Sequence, residues 1–187
     1  MDVLAFYSGS ADVAPGAGVH ERVSDKSVYA ALAAIPHWRR RLSNFDTEVT
    51  FEWEGACGIH FPAGTRWRSI EHAFQGAKTA LKDMDKARLF TVNSGSPLGL
   101  GTGADAQKKR KMVLLTAAEL AHWDSIRDEI MASAARAKYT QHPNSLAAQA
   151  LRATGRAELL HAMRCRGAPT RMVRFAHLEL LRTEMNG

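Results

Sequence analysis

The sequence predicts a mainly α-helical single domain with one small β-hairpin, and three observations carry that expectation. Its 187 residues suit one domain. Apolar residues recur at helical spacing in several stretches that open with capping residues. β-branched and aromatic residues separated by glycine are confined to residues 49–68, a pattern typical of a short strand pair.

Composition places the chain among folded intracellular proteins. Hydrophobic residues make up 45% and charged residues 24% of the sequence. No apolar run is long enough to span a bilayer, and the opening MDVLAFYSGS lacks the pattern of a signal peptide. Two cysteines, Cys57 and Cys165, are too few for a disulfide framework. We therefore expect a cytoplasmic protein, or a nuclear one in a eukaryote, with no membrane contact.

Positive charge is concentrated in the second half of the chain. The 25 Lys and Arg against 19 Asp and Glu give a net charge of +6, and residues 106–187 hold 14 basic and 7 acidic side chains. Two basic clusters stand out, Lys108 to Lys111 and Arg39 to Arg41. Such clusters attract the phosphates of nucleotides or nucleic acids, and they also occur as ordinary solvated surface.

The first predicted helix follows an irregular segment at residues 7–23 that is rich in Gly, Ser, Ala and Pro. Ser24 is the expected N-cap. Val28, Leu32 and Ile35 then recur at helical spacing until Pro36 ends the helix.

The second predicted helix begins after Ser69, another capping residue, and carries two adjoining faces. Its apolar stripe consists of Ile70, Phe74, Ala77 and Leu81. Its polar flank consists of Glu71, Gln75, Lys78 and Lys82. Because this flank adjoins the stripe, its polar groups are expected at the edge of the core.

Four further helices are predicted after residue 82. One covers residues 83–92, and a Gly-rich loop follows at 93–107. Thr116 and Glu119 form a capping box that opens the longest helix, to about Tyr139. Its expected buried face is Trp123, Ile126, Ile130, Ala134 and Ala137. A short helix at 144–153 is closed by Gly155, and a last helix covers 174–185.

Glu71 and Lys78 are the strongest candidates for chemistry. They lie two turns apart on one line, roughly 10 Å along the axis, too far for a direct ion pair. The helix N-terminus favours the ionised form of Glu71, which suits a base, a nucleophile or a stabiliser of positive charge, whereas burial would favour an acid. An amine against an apolar edge, such as that of Lys78, suits a nucleophile. Solvated edge charges are the competing interpretation.

Other motifs are weak. The glycines of residues 93–107 match neither the Walker nor the dinucleotide-binding pattern, so no nucleotide cofactor is predicted. Cys57 with His60, and His161 with Cys165, fall short of a zinc site, so no metal is expected. No nucleophile elbow is present, which leaves acyl transfer without support.

Four segments, taken in their order along the chain, resemble the NADAR family, the YbiA-like domains linked to NAD and ADP-ribose metabolism. They are WRRRLSNF at 38–45, FPAGTRWRSIEHAFQGAKT at 61–79, HWDSIRDEIMASAARAKYTQHP at 122–143 and LRATGRAELLH at 151–161. The matching positions are Ser43, Asn44, Phe45, Ser69, Glu71, His72, Gln75, Lys78, Trp123, Met131, Lys138, Tyr139, Thr154, Gly155 and Leu159. Many relatives carry an acidic W-G-D-G-type segment where this chain has MRCRGAPTRMVRF, so an acidic role there is absent or falls to Asp105 or Asp46.

The resemblance implies a single YbiA-like helical domain over residues 1–187, with residues 7–37 as a longer N-terminal insertion. It implies an N-glycosidase that removes ADP-ribose from ADP-ribosylated guanine in DNA or RNA, a DNA-repair activity. Clearance of phosphoribosylated riboflavin-pathway intermediates is the alternative, and a non-catalytic ADP-ribose or nucleic-acid binding module is the second. A basic nucleic-acid binder with no nucleotide pocket also stays open.

The candidate site residues, from the resemblance and from the chemistry of the side chains together, fall into two groups. Glu71 and Lys78 are the expected catalytic residues. The expected substrate-binding residues are Ser43, Asn44, Phe45, Arg66, Ser69, Gln75, Gly101, Asp105 and Trp123. Among the cations, Arg66 or Arg68 would meet the diphosphate, and Trp123 or Phe45 would cover a base.

Overall fold

The computed structural model describes residues 1–163 and 170–187. Helices contain 45% and strands 13% of the residues, and the strands of the described ranges form three small sheets. The prediction of a mainly α-helical fold with one hairpin is therefore wrong, since the architecture is mixed α/β. None of the helices in these two ranges could span a bilayer.

The elements occur as runs of short strands and runs of helices. The first half comprises β1 (Val3–Phe6), a 3-10 helix (Lys26–Tyr29), α1 (Ala30–Ala33), α2 (Trp38–Arg41), β2 (Phe51–Glu52), β3 (Gly55–Ala56), β4 (Ile59–His60), β5 (Arg66–Trp67) and α3 (Ile70–Ala80). The second comprises α4 (Met84–Arg88), a 3-10 helix (Val92–Ser94), α5 (Gly103–Lys108), α6 (Ala117–Gln141), α7 (Leu146–Ala153), β6 (Glu158–Met163), β7 (Arg171–Arg174) and α8 (Ala176–Asn186).

Contacts divide the chain into two compact units. One is continuous, Asn44–His142, and the other joins Met1–Ser43 to Pro143–Gly187. The single domain over residues 1–187 and its insertion at 7–37 stay predictions.

The discontinuous unit contains the three-stranded sheet, in the order β1-β6-β7. Strand β1 pairs in parallel with β6, from Val3 opposite Glu158 to Phe6 opposite His161, and β7 pairs antiparallel with β6. All four residues of β1 are buried. A short, continuously buried strand shows no alternation of polar and apolar residues, so its period gives no signal in the sequence.

A buried ion pair organises the irregular N-terminal segment. The Glu21 carboxylate pairs with the Arg39 guanidinium at 2.7 Å and accepts backbone N–H bonds from Ala5, Gly16 and Gly18. Arg39 also donates to backbone carbonyls of residues 11, 13 and 14. Arg39 is therefore occupied inside the fold, although the sequence grouped it with phosphate-attracting arginines.

The first helical segment differs in register from its prediction. The side chain of Asp25, and not of Ser24, caps the turn, and Val28 is 65% exposed whereas Tyr29 is buried. The segment starts as a 3-10 helix, which has three residues per turn, so the buried face passes through Tyr29 and Leu32.

The continuous unit packs α3 against α4, α5 and α6. Strand β2 pairs with β5 and β3 pairs with β4, so the predicted strand region forms two small sheets. Trp67 packs edge-on against Trp53 and Phe61. A Cβ at position 76 would lie 2.5 Å from the Trp67 ring, so glycine at this point of α3 admits the indole.

Capping signals predicted the ends of the long helices correctly. The capping box of Thr116 and Glu119 opens α6, and Ser69 caps α3. Within α6, Trp123, Ile130 and Ala134 are buried as expected. Gly155 follows α7 with φ 59°, the left-handed conformation expected after a helix end.

Candidate active site

The first turn of α3 lies against the segment that follows Ser43. The backbone N–H of Glu71 donates to the carbonyl of Asn44 at 3.0 Å. The Ser69 hydroxyl accepts from the His72 N–H and so satisfies an end of the helix. The local signals of the sequence thus bring two of the predicted site segments together.

The Glu71 carboxyl is buried, with only 6% of the residue exposed. The Gln75 amide nitrogen donates to Glu71 Oε1 at 2.8 Å. Burial raises the pKa of Glu71 from 4.5 to about 7, and the Gln75 hydrogen bond opposes part of that rise. The preference for an ionised Glu71, argued from the helix N-terminus, is therefore outweighed by burial.

Two buried amide oxygens near Glu71 have no hydrogen-bond donor within the described residues. They are Gln75 Oε1 and Asn44 Oδ1. The nitrogen ends of both amides are engaged, Gln75 with Glu71 and Asn44 with the sulfur of Met131 at 3.1 Å. An unpartnered buried acceptor costs about 1–3 kcal/mol, so this pair marks a place where a ligand can supply donors.

Lys78 is half-buried on the same line of α3, one turn beyond Gln75. No residue in the described ranges pairs with its amine. Its position three residues after Gln75 and seven after Glu71 places all three on one face of α3. The half-buried Lys78 amine is therefore available to a ligand at this face.

His72, which the sequence grouped with the family motif, ties the glycine-rich loop to α3. It is fully buried, its Nε2 donates to the Leu98 carbonyl at 3.1 Å, and its Nδ1 lies 2.7 Å from the Ser69 hydroxyl. Burial lowers the pKa of His72, which keeps the ring neutral. This histidine positions the loop and has no free nitrogen for catalysis.

The glycine-rich loop serves packing at the positions the sequence singled out. A Cβ at Gly103 would lie 2.5 Å from the Phe45 backbone, so glycine lets α5 approach the half-buried Phe45. A Cβ at Gly101 would approach the carbonyl of Pro97 to 3.0 Å. The Asp105 carboxylate closes a capping box with Thr102 and pairs with Lys108, and these bonds lower its pKa to about 2.

Arg66 and Arg68 lie in different environments. Arg66 is exposed and donates to Thr50, so the structure shows no link to Glu71. Arg68 is half-buried, acts electrostatically on His72, and its Nε is buried without a partner in the described part of the chain. Arg66 lies in β5, whereas Arg68 follows the strand, just before the Ser69 cap of α3. The sequence offers no local signal that separates the two arginines.

Trp123 and Ser43 are core residues in the structure. Trp123 is 3% exposed and packs edge-on against Phe74 at 4.8 Å between ring centres. Ser43 is 1% exposed. A role for either in binding substrate stays a prediction.

Neither Asp46 nor Asp105 is free to replace the acidic segment that many NADAR proteins carry. Asp46 forms a buried ion pair with Lys138 at 2.8 Å, and Asp105 caps a helix. The residues at 164–169, including Cys165 of the segment MRCRGAPTRMVRF, lie outside the described chain. Within the described residues, no three His, Cys, Asp or Glu side chains cluster as metal ligands.

Comparisons with known proteins give one structural match. No family model matches the sequence, and no curated protein matches it. The NMR structure of the E. coli protein YbiA matches with a TM-score of 0.49 and 16% identity, over 99% of this chain and 84% of that one. The family resemblance of this chain accordingly rests on its own motifs.

Proposed function

We propose that this chain is an N-glycoside hydrolase that releases ADP-ribose from ADP-ribosylated guanine in nucleic acid. The observation that carries the proposal is the buried Glu71 carboxyl, whose pKa near 7 lets it both give and take a proton at neutral pH. The unpaired Lys78 on the same line and the NADAR-like motifs support it.

Glu71 performs the proton transfers of the reaction. As the bond between ribosyl C1 and the guanine nitrogen breaks, the bonding electrons leave with guanine, and the protonated Glu71 gives that nitrogen its proton. Water then adds to C1 and returns a proton to the Glu71 carboxylate, so the acid is restored. Because Gln75 holds Oε1 as an acceptor, Oε2 is the oxygen that carries the proton.

Lys78 offers a covalent variant of the same hydrolysis. Its amine attacks C1 of the ribose, the sugar ring opens, and an imine forms as guanine leaves. Addition of water to the imine then releases ADP-ribose and restores the amine. Lys78→Arg keeps the charge and removes the nucleophile, so it separates the two routes.

Cations of this chain would recognise the phosphates of the substrate. Arg68, whose Nε has no partner among the described residues, would meet the diphosphate. Lys109, Arg110 and Lys111 are exposed and pair with no described residue, and such a run suits a nucleic-acid backbone. Binding to nucleic acid should therefore weaken as salt rises.

The test is release of ADP-ribose from an oligonucleotide carrying ADP-ribosylated guanine. Wild type should turn over, and Glu71→Gln should lose on the order of 10²–10³ in rate while still binding ADP-ribose. Lys82→Arg is the matched control because Lys82 is an exposed lysine two residues after the end of α3 and pairs with Glu119. Binding of ADP-ribose without turnover by wild type would contradict the proposal and identify a binding module instead.

A further inference from the structure

Two residues that contact Glu71 each carry an unsatisfied side-chain acceptor. Asn44 and Gln75 are 7% and 6% exposed, and their side-chain oxygens have no donor among the described residues. Both are fixed to Glu71, Asn44 through its peptide carbonyl and Gln75 through its amide nitrogen. Buried polar atoms are nearly always paired in folded proteins, so these two oxygens call for a ligand with donors.

The orientation of each amide determines which chemistry fits. Both nitrogen ends face protein atoms, so the atoms without a partner are the two buried side-chain carbonyl oxygens, and a carbonyl oxygen only accepts hydrogen bonds. A phosphate or carboxylate offers no proton to such a pair. A sugar with hydroxyls on neighbouring carbons offers one O–H to each oxygen.

From this arrangement we infer that Asn44 and Gln75 bind the vicinal diol of the ribosyl group, and that the site selects ribosides over 2-deoxyribosides. The inference rests on the proposed function, which places C1 of the ribose beside Glu71. The carbons that carry these hydroxyls, C2 and C3, then lie one and two bonds from the reacting carbon, in the same ring. The selectivity spares the deoxyribosyl bonds of DNA itself, because a deoxyriboside leaves one buried oxygen unpaired.

Calorimetric titration with ADP-ribose and with its analogue deoxygenated at C2 of the terminal ribose tests the inference. Wild type should bind ADP-ribose more tightly, on the order of 10–100-fold. In Asn44→Leu and Gln75→Met, both close in shape to the original residues, at least one variant should bring that ratio close to one. Equal affinity of wild type for the two ligands overturns the inference.

A stability measurement covers the variants that fail to bind. Asn44 makes one weak side-chain bond, to a thioether sulfur, so Asn44→Leu should keep or raise the melting temperature. A fall of several degrees in the melting temperature would show that the side-chain carbonyl of Asn44 already has a hydrogen-bond partner in the free protein. That result also overturns the inference. Absence of ADP-ribose binding and of turnover in wild type would refute the proposed function, whereas turnover with equal affinities refutes the diol alone.

Discussion

Replacing Glu71 with Gln should stabilise the protein at alkaline pH while slowing the reaction. The carboxyl is 6% exposed, and within the described chain only Gln75 donates to it. Its pKa rises from 4.5 to about 7 on folding, so the folded protein holds a proton that the unfolded chain has released between those values. The contribution of Glu71 to the free energy of unfolding is therefore fully present below pH 4.5 and is lost as pH rises through about 7.

The size of the effect follows from the shift in pKa. About 2.5 pKa units at 1.36 kcal/mol per unit give about 3 kcal/mol between acid and alkaline conditions. Gln has similar volume and no charge, so it avoids the burial of an anion. The free energy of unfolding of Glu71→Gln, minus that of wild type, should therefore rise by about 3 kcal/mol from pH 4 to pH 8.5.

Urea unfolding of both proteins at half-unit steps of pH measures this difference. All other groups titrate alike in both proteins, so their contributions cancel in the difference between the two free energies of unfolding. Plotted against pH, that difference should be flat in acid, rise between pH 4.5 and 7, and level off above. Glu179→Gln is the matched control, because Glu179 pairs with Arg174 and its pKa is lowered. A difference for Glu71→Gln that stays constant from pH 4 to pH 8.5 would refute the reasoning.

Four further predictions concern activity and packing. The rate of ADP-ribose release should fall as pH rises through about 7, since the Glu71 proton is needed in the first step, and a pH profile that rises there contradicts the acid role. If the imine route operates, Lys78→Arg is inactive and borohydride traps an adduct at Lys78; an active variant without an adduct assigns attack to water. Treatment with a strong chelator and dialysis should leave the rate intact, and restoration of a lost rate by zinc would contradict this. Gly76→Ala should lower the free energy of unfolding by about 1–3 kcal/mol, because a Cβ 2.5 Å from the buried Trp67 ring outweighs the better helix propensity of Ala; equal stability in urea would show that the indole can move.

Features encoded within a few residues were predicted well. The caps at Ser69 and Thr116 each need one side chain and an N–H two or three residues away, so the sequence displays them directly. Parallel pairing of β1 with β6 joins residues more than 150 positions apart, from Val3 to Glu158, and no local pattern reports it. The prediction of a mainly α-helical fold was wrong because the sheet depends on such long-range pairing.

The membership of the candidate site stays a prediction, and the sequence missed the electrostatics of Glu71. A helical wheel places Glu71 beside the apolar stripe, at the edge of a core. The carboxyl is buried because the segment at Asn44 lies against the first turn of α3. That contact is tertiary, so the wheel could not show whether the helix N-terminus or burial controls the charge of Glu71.

The buried carboxyl groups of the described chain differ in their partners, and that difference supports the proposed site. Glu21 has the Arg39 guanidinium and three backbone N–H groups, and Asp46 has the Lys138 ammonium. Glu71 has one neutral amide and no cation. The fold thus gives two buried carboxylates a cationic partner and gives Glu71 none. Two acceptor oxygens without donors lie on residues that contact Glu71, and unpaired buried polar groups lower the stability of the fold. Because binding a donor-rich ligand would satisfy them, the unpaired groups argue for a catalytic site at this face of α3.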